Sequence, residues 1–359
     1  MKNLWLRIGI GALACLAVLG AALWSASRAN NGTRTDGLYY LASDIHPDAK
    51  LLTVDGETVE AEEFLYWLAY GCEYLTSNLG EIDWNARLTD DATYGDYVKA
   101  DALETVKLFA VIRRLAQENG ISLTDEDLAR LQDQKDQYAA YYGGEEAYRQ
   151  QVQLMGVSEE AYDRINSTYL LLDRLTDMAV QEGGELYPTQ EELLAYGAEN
   201  GYVSARILYL PAITLDESAV EAQRALAESY VERLRALDAD EAYELLGQLA
   251  ADLGMEVPEQ DYTINAETAD ASIVNAIASL EEGAVSDVLS TDSGFYVAIR
   301  RPLNTAALAQ SFFSEELIAR RQELTVTFSK LYNKLDTGAF YTNLLQARQE
   351  LAEQFKVTE

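Results

Sequence analysis

The chain has 359 residues, with 27 Lys and Arg against 60 Asp and Glu, a net charge of −33. Apolar residues make up 48% and charged residues 24%, which excludes wholesale disorder and a multi-span membrane protein, and the length suits two or three folding units. A surface this acidic offers no cationic footprint for phosphates, so nucleic acid is excluded as a partner.

The charge is unevenly placed. Residues 1–30 carry three basic groups and no acid, and residues 304–359 carry six basic and seven acidic groups, which leaves 18 basic against 53 acidic, or −35, between them. Cys15 and Cys72 are the only cysteines and His46 the only histidine. Cys15 lies inside an apolar run, so the remainder has one thiol and no internal disulfide. Two His on a zinc, a Cys cluster, or a nucleophile paired with His are thereby excluded within one chain.

Lys2 and Arg7 precede the uncharged run Ile8–Trp24, 17 residues that as a helix span about 25 Å. That length is at the lower limit for crossing a bilayer, and the basic flank stays cytoplasmic. An uncleaved signal anchor is the leading reading; a cleaved peptide with its exit near Ser25-Ala26-Ser27 and a lipoprotein site at Leu13-Ala14-Cys15 are the alternatives. Residues 28–50 read as a linker, with His46 exposed before Pro47.

Leu51–Val54 with Asp55-Gly56 predicts a short strand and a tight turn. A helix then opens among Glu60–Glu63, with Phe64, Trp67, Leu68 and Cys72 on one stripe; Cys72 reads as a small buried hydrophobe. Residues 97–119 repeat the helical spacing and stop at Asn119-Gly120, Thr124 with Asp127 opens the next helix as a capping box, and helices follow at 145–154 and 159–181. Pro188-Thr189 with Glu192 opens another. The texture then changes: Tyr202–Leu210 reads as a strand, Ser218–Leu237 and Glu241–Leu253 as helices, and Tyr262–Ile264 and Phe295–Ile299 as strands, an α+β unit. Residues 304–355 return to helix, interrupted at Asp336-Thr337-Gly338. Leu324, Val326 and Phe328 alternate, but their strongly helical flanks assign that window to helix as well. Acid-rich windows such as Asp90-Asp91 and Asp238–Glu241 lack the pattern of a calcium loop and read as solvated faces.

This order of pieces resembles the SurA and PrsA group of extracytoplasmic foldases, which carry a parvulin-type prolyl isomerase domain. The matching stretches are Val54-Asp55-Gly56-Glu57-Thr58-Val59 with Glu63-Phe64, Asn119–Glu126, Met155-Gly156-Val157-Ser158-Glu159-Glu160, Ser204-Ala205-Arg206-Ile207-Leu208, Ser279–Leu289, and Gly294-Phe295-Tyr296-Val297. The resemblance implies an α+β chain: signal anchor 1–27, linker 28–50, helical chaperone domain 51–185, an inserted parvulin-like domain 188–303 built on a four-stranded sheet, and helices 304–359 returning to the helical domain.

The resemblance also sets the candidate site. The family's insert has one His in its first strand, before an Ile-Leu pair, and one in its last strand, after Gly and an aromatic; these places hold Arg206 and Tyr296. Ile273 stands where an aromatic pocket residue is usual, and the Gly-rich stretch after the second helix is missing, with 253–268 truncated. Arg206, Leu208, Ile273, Phe295 and Tyr296 are therefore the candidate peptide-binding residues, with no catalytic residue, metal or cofactor assigned. The implied function is a single-pass, membrane-tethered extracytoplasmic chaperone that binds unfolded or nascent exported polypeptides, its parvulin-like domain weak or inactive; a homodimer is compatible with it. The rivals are an active prolyl isomerase, which can lower an amide barrier of about 18–20 kcal/mol by binding the twisted form without proton transfer, and a scaffold near the export machinery.

Overall fold

The Asp55-Gly56 step turns the chain back on itself. Both residues have positive φ, 48° and 85°, which an Asp-Gly pair accepts at little cost, and β1 (Leu52–Val54) pairs antiparallel with β2 (Glu57–Val59). In the computed structural model, which describes residues 37–47, 49–255 and 261–357, the chain forms two compact units. One is drawn from residues up to Leu175 and from Glu316 onward; the other is Thr176–Glu315. The molecule is a mainly helical α+β protein with an antiparallel sheet in its second unit.

Ahead of the turn, α1 (Leu38–Ser43) occupies part of the stretch expected as linker. Its Leu38, Tyr39 and Ala42 are buried, so this segment belongs to the core; six residues are too short a run to show a helical period. After the turn come α2 (Ala61–Leu79), α3 (Tyr94–Glu118), α4 (Asp125–Tyr142), α5 (Glu145–Met155) and α6 (Glu159–Val180). Thr93 with Asp96 and Thr124 with Asp127 close reciprocal capping boxes that start α3 and α4. Gly156, at φ +101°, ends α5 where a Cβ would sit 2.7 Å from the Tyr39 ring.

The second unit opens with α7 (Gln190–Glu199) on the Thr189–Glu192 capping box. It continues through β3 (Val203–Pro211), α8 (Glu217–Arg235), α9 (Ala239–Asp252), β4 (Tyr262–Ile264), α10 (Ala271–Ala278), β5 (Leu289–Thr291) and β6 (Gly294–Arg301). Its four strands form an antiparallel sheet in the order β4-β3-β6-β5, with β3 and β6 paired over eight residues from Ser204↔Arg301 to Pro211↔Gly294. Gly294 is required there: a Cβ would lie 2.2 Å from the Leu210 carbonyl. Asp238, in a window expected as a solvated face, is exposed and also accepts from the backbone N–H groups of Asp240 and Glu241, which caps α9.

The chain returns through α11 (Ala309–Glu323), β7 (Val326–Phe328), α12 (Lys330–Lys334) and α13 (Thr337–Val357). The helix expected across Leu324–Phe328 is corrected to a strand. β7 pairs antiparallel with β1, Leu52↔Phe328 and Val54↔Val326, to make a three-stranded sheet in the order β2-β1-β7. The alternation of Leu324, Val326 and Phe328 was the correct signal, and the partner that fixes it lies about 270 residues earlier, where Asp55 Oδ1 accepts from Thr325 N–H at 2.7 Å. A single core joins Phe64, Leu68, Val106 and Phe109 to Phe340, Leu344 and Phe355 across the N-terminal and returning segments. Among the described residues no helix is long and apolar enough to cross a membrane; the expected anchor lies outside them.

Candidate functional site

The β3–β6 register decides what the candidate residues can do together. Directly paired residues of an antiparallel sheet share a face, and neighbours along a strand alternate. Arg206 pairs with Ile299 and Tyr209 pairs with Tyr296, so Arg206 and Tyr296 are three steps out of register and lie on opposite faces. Leu208, Leu210, Phe295, Val297 and Ile299 pack under α8 and α9. Val203, Ala205, Ala298, Ile207 and Tyr296 face Ile273, Val274 and Ile277 of α10. The five candidates thus divide: Arg206, Leu208 and Phe295 on one face, Ile273 and Tyr296 on the other.

Arg206 is buried and ion-paired. Its Nε lies 3.3 Å from Asp261 Oδ1, its guanidinium stacks on the Tyr243 ring at 4.4 Å, and it donates to the Tyr243 hydroxyl. Arg301 covers the same ring at 4.4 Å and reaches Asp261 Oδ2 at 3.3 Å, while the Tyr243 hydroxyl donates to Asp261 Oδ1 at 3.0 Å. Two cations therefore share one carboxylate and one aromatic ring. Burial first, and the Asp261 carboxylate second, hold the Tyr243 phenol above its ordinary pKa, so it stays protonated. Leu208 and Phe295 are buried core residues, and Arg224 lies 4.9 Å over the Phe295 ring.

On the α10 face, Tyr296 is half-buried and stacks on Tyr209, centroids 4.7 Å apart. The Tyr209 hydroxyl donates to the Ser293 carbonyl at 2.8 Å, the Tyr296 hydroxyl lies 2.9 Å from Ser293 Oγ, and Thr291 Oγ1 lies 2.8 Å from Ser293 Oγ. The β5–β6 turn thus fixes both rings by their polar ends. With Ile207 and Leu289 beside them the face is apolar and hydroxyl-edged, suited to contact with a peptide and without a group that titrates near neutrality. Sequence reasoning missed Tyr209, Tyr243, Asp261 and Arg301. Each is an ordinary residue on its own element, and only the strand register and helix placement bring them together.

In the first unit one aromatic cluster joins α2, α3 and α6. Trp67 lies 4.9 Å from Tyr66 and 5.1 Å from Phe109, Phe109 lies 5.2 Å from Tyr169, and Tyr66 lies 6.5 Å from Tyr162. Tyr70, Tyr162 and Tyr169 are half-buried, so this cluster shows partly wet aromatic surface along α2 and α6. Cys72 is buried on the same helix, and burial pushes its thiol far above the ordinary range, which leaves it inert as a nucleophile. His46 is exposed in the first unit. Among the described residues no group of three or more His, Cys, Asp or Glu side chains is placed to hold a metal ion.

No protein-family model matches the chain, and no curated protein does. Its structural neighbours are PrsA foldases and SurA-like chaperones. The foldase PrsA from Streptococcus pneumoniae is 16% identical and matches over 86% of this chain and 100% of its own, with a TM-score of 0.26. A Campylobacter jejuni structure reported with PEB4 and Cj1289 as SurA-like chaperones is 11% identical over 79% of this chain and 100% of its own, TM-score 0.25. PrsA from Bacillus subtilis is 17% identical over 74% and 90%, TM-score 0.23.

Proposed function

We propose that this chain is a membrane-tethered extracytoplasmic chaperone that holds unfolded exported polypeptides, and that its sheet unit has little or no prolyl isomerase activity. The observation that carries the reading is the separation of Arg206 and Tyr296 onto opposite faces, each committed to its own neighbours. A pair that cannot meet across one amide cannot act on it jointly. What remains is binding surface: the Tyr209–Tyr296 face and the half-buried tyrosines along α2 and α6 present partly exposed rings, which accept apolar segments without demanding one sequence. The surface charge of the 31–303 segment keeps complexes soluble while contacts exchange quickly.

The test is aggregation of a reduced, unfolded client followed by light scattering with the full chain in detergent. Suppression at stoichiometric to several-fold excess is expected; unaltered scattering at several-fold excess overturns the reading. Isomerase activity is the second reading, favoured by the apolar Tyr209–Tyr296 face, which could hold a twisted amide by binding alone. A protease-coupled proline tetrapeptide assay decides it: rates equal to the uncatalysed reaction remove the enzyme.

A further inference from the structure

The three-stranded sheet of the first unit has an unpaired edge. Asp55 N–H donates to Thr325 O and Ser329 N–H donates to Leu51 O, so Thr325 and Ser329 are hydrogen-bonded to the β1 segment, and Thr327, opposite Thr53, is too. By alternation the N–H and C=O groups of Val326 and Phe328 point away from β1. β7 is the last strand on that side, and among the described residues no strand pairs with it there. Phe328 stacks on Tyr332 at 4.4 Å yet remains 41% exposed, and Leu331 beside it is 42% exposed.

Lysines gather at one end of this edge. Lys50 precedes Leu51, whose carbonyl takes the Ser329 N–H, and Lys330 follows Ser329, so the two lysines sit at the same end of the β1–β7 pair. Lys334 lies one turn further along α12. All three are exposed and form no ion pair among the described residues. Nearby Lys99 is held by the carbonyls of Tyr332 and Leu335 at 2.6 and 2.8 Å, and Asp48 and Asp336 are the acids closest in sequence to the cluster. In a chain of net charge −33, three exposed lysines thus lie near a bare strand edge that also carries two exposed apolar side chains.

We propose that β7 accepts a fourth strand: an extended segment of an unfolded polypeptide, with apolar side chains at alternate positions and carboxylates at the end that meets Lys50, Lys330 and Lys334. Backbone groups of Val326 and Phe328 supply the hydrogen bonds, Phe328 and Leu331 the apolar contact, and the lysines the preference. The proposal rests on the client-binding reading and names where and how one class of client segment is held. Charge complementarity selects an acidic segment, because Lys50 and Lys330 lie together at the Ser329 end of β7, where the carboxylates of an added strand meet them.

The test is fluorescence anisotropy of a labelled ten-residue peptide of alternating Val, Tyr and Thr ending in two Asp, titrated with the full chain in detergent micelles. Val326→Pro removes an outward N–H without touching the β1 ladder, and Lys330→Glu with Lys334→Glu reverses the charge; circular dichroism melts establish that both variants fold. Each is expected to weaken binding about tenfold or more, with the charge reversal leaving a peptide ending in two Lys bound no more weakly. Unchanged affinity in folded Val326→Pro overturns the proposal. So does a fall from dimer to monomer in sedimentation of that variant without peptide, because the edge is then occupied by a second copy. If wild type fails to suppress client aggregation, the chaperone reading fails; if Val326→Pro suppresses it fully and still binds the peptide, only the strand-edge proposal fails.

Discussion

At the residue scale, Arg206 is a structural cation. Removing it leaves Asp261 with only Arg301 and Tyr243 in a largely buried position, and breaking a buried pair of this kind costs about 3 kcal/mol. Arg206→Ala is therefore expected to lower the urea midpoint of the sheet unit, read by far-ultraviolet circular dichroism; a change below about 0.5 kcal/mol, the ordinary range for an exposed site, refutes the structural role. The double substitution Arg206→His with Tyr296→His places two histidines on opposite faces of the sheet. No gain in the proline tetrapeptide assay is expected, and a gain above twice the uncatalysed rate contradicts the register argument.

Helices make the next scale, and their ends are set by particular side chains. Asp127 accepts from the Thr124 backbone and hydroxyl and from Arg174, in that order of influence, and these hold its carboxyl at about 2 against an ordinary 3.8. A depressed folded pKa gives stability that is present above about pH 4 and is lost as pH falls toward 2. The difference in melting temperature between wild type and Asp127→Asn is expected to be constant from pH 5 to 7 and to shrink below pH 4. A difference that instead grows on acidification removes the cap from the account. At the C-terminal end of α5, Gly156→Ala forces an L residue to φ +101° and drives a Cβ toward Tyr39, so a loss of about 1 kcal/mol or more in denaturant titration is expected. An unchanged midpoint would show that α1 yields instead of clashing.

At the scale of the whole molecule, −33 charges on 359 residues oppose compaction. Screening relieves this: raising NaCl from about 10 to 150 mM shortens the Debye length from about 30 to 8 Å, and the melting temperature is expected to rise. A fall would mean that the ion pairs, such as Arg113 with Glu63 at 3.0 Å and Arg348 with Glu73 at 2.5 Å, outweigh the long-range repulsion.

What the sequence determined by itself is local. Capping boxes at Thr124 and Thr189, the Asp55-Gly56 turn, the stripe ending at Cys72 and the glycine before Phe295 are written within four or five residues, because hydrogen bonds at helix ends and positive φ angles depend on immediate neighbours. The same alternation that marks Tyr202–Leu210 as a strand was present in Leu324–Phe328, where helical flanks outweighed it until a partner strand settled the matter. Tertiary structure alone decided which strand faces met. A shift of one residue in register moves every side chain to the other side of a sheet, and no local pattern records that shift. Hence Arg206 and Tyr296, neighbours in motif order, are strangers across the β-sheet, while Tyr209, Asp261 and the bare edge of β7 acquire their roles only when distant segments pack.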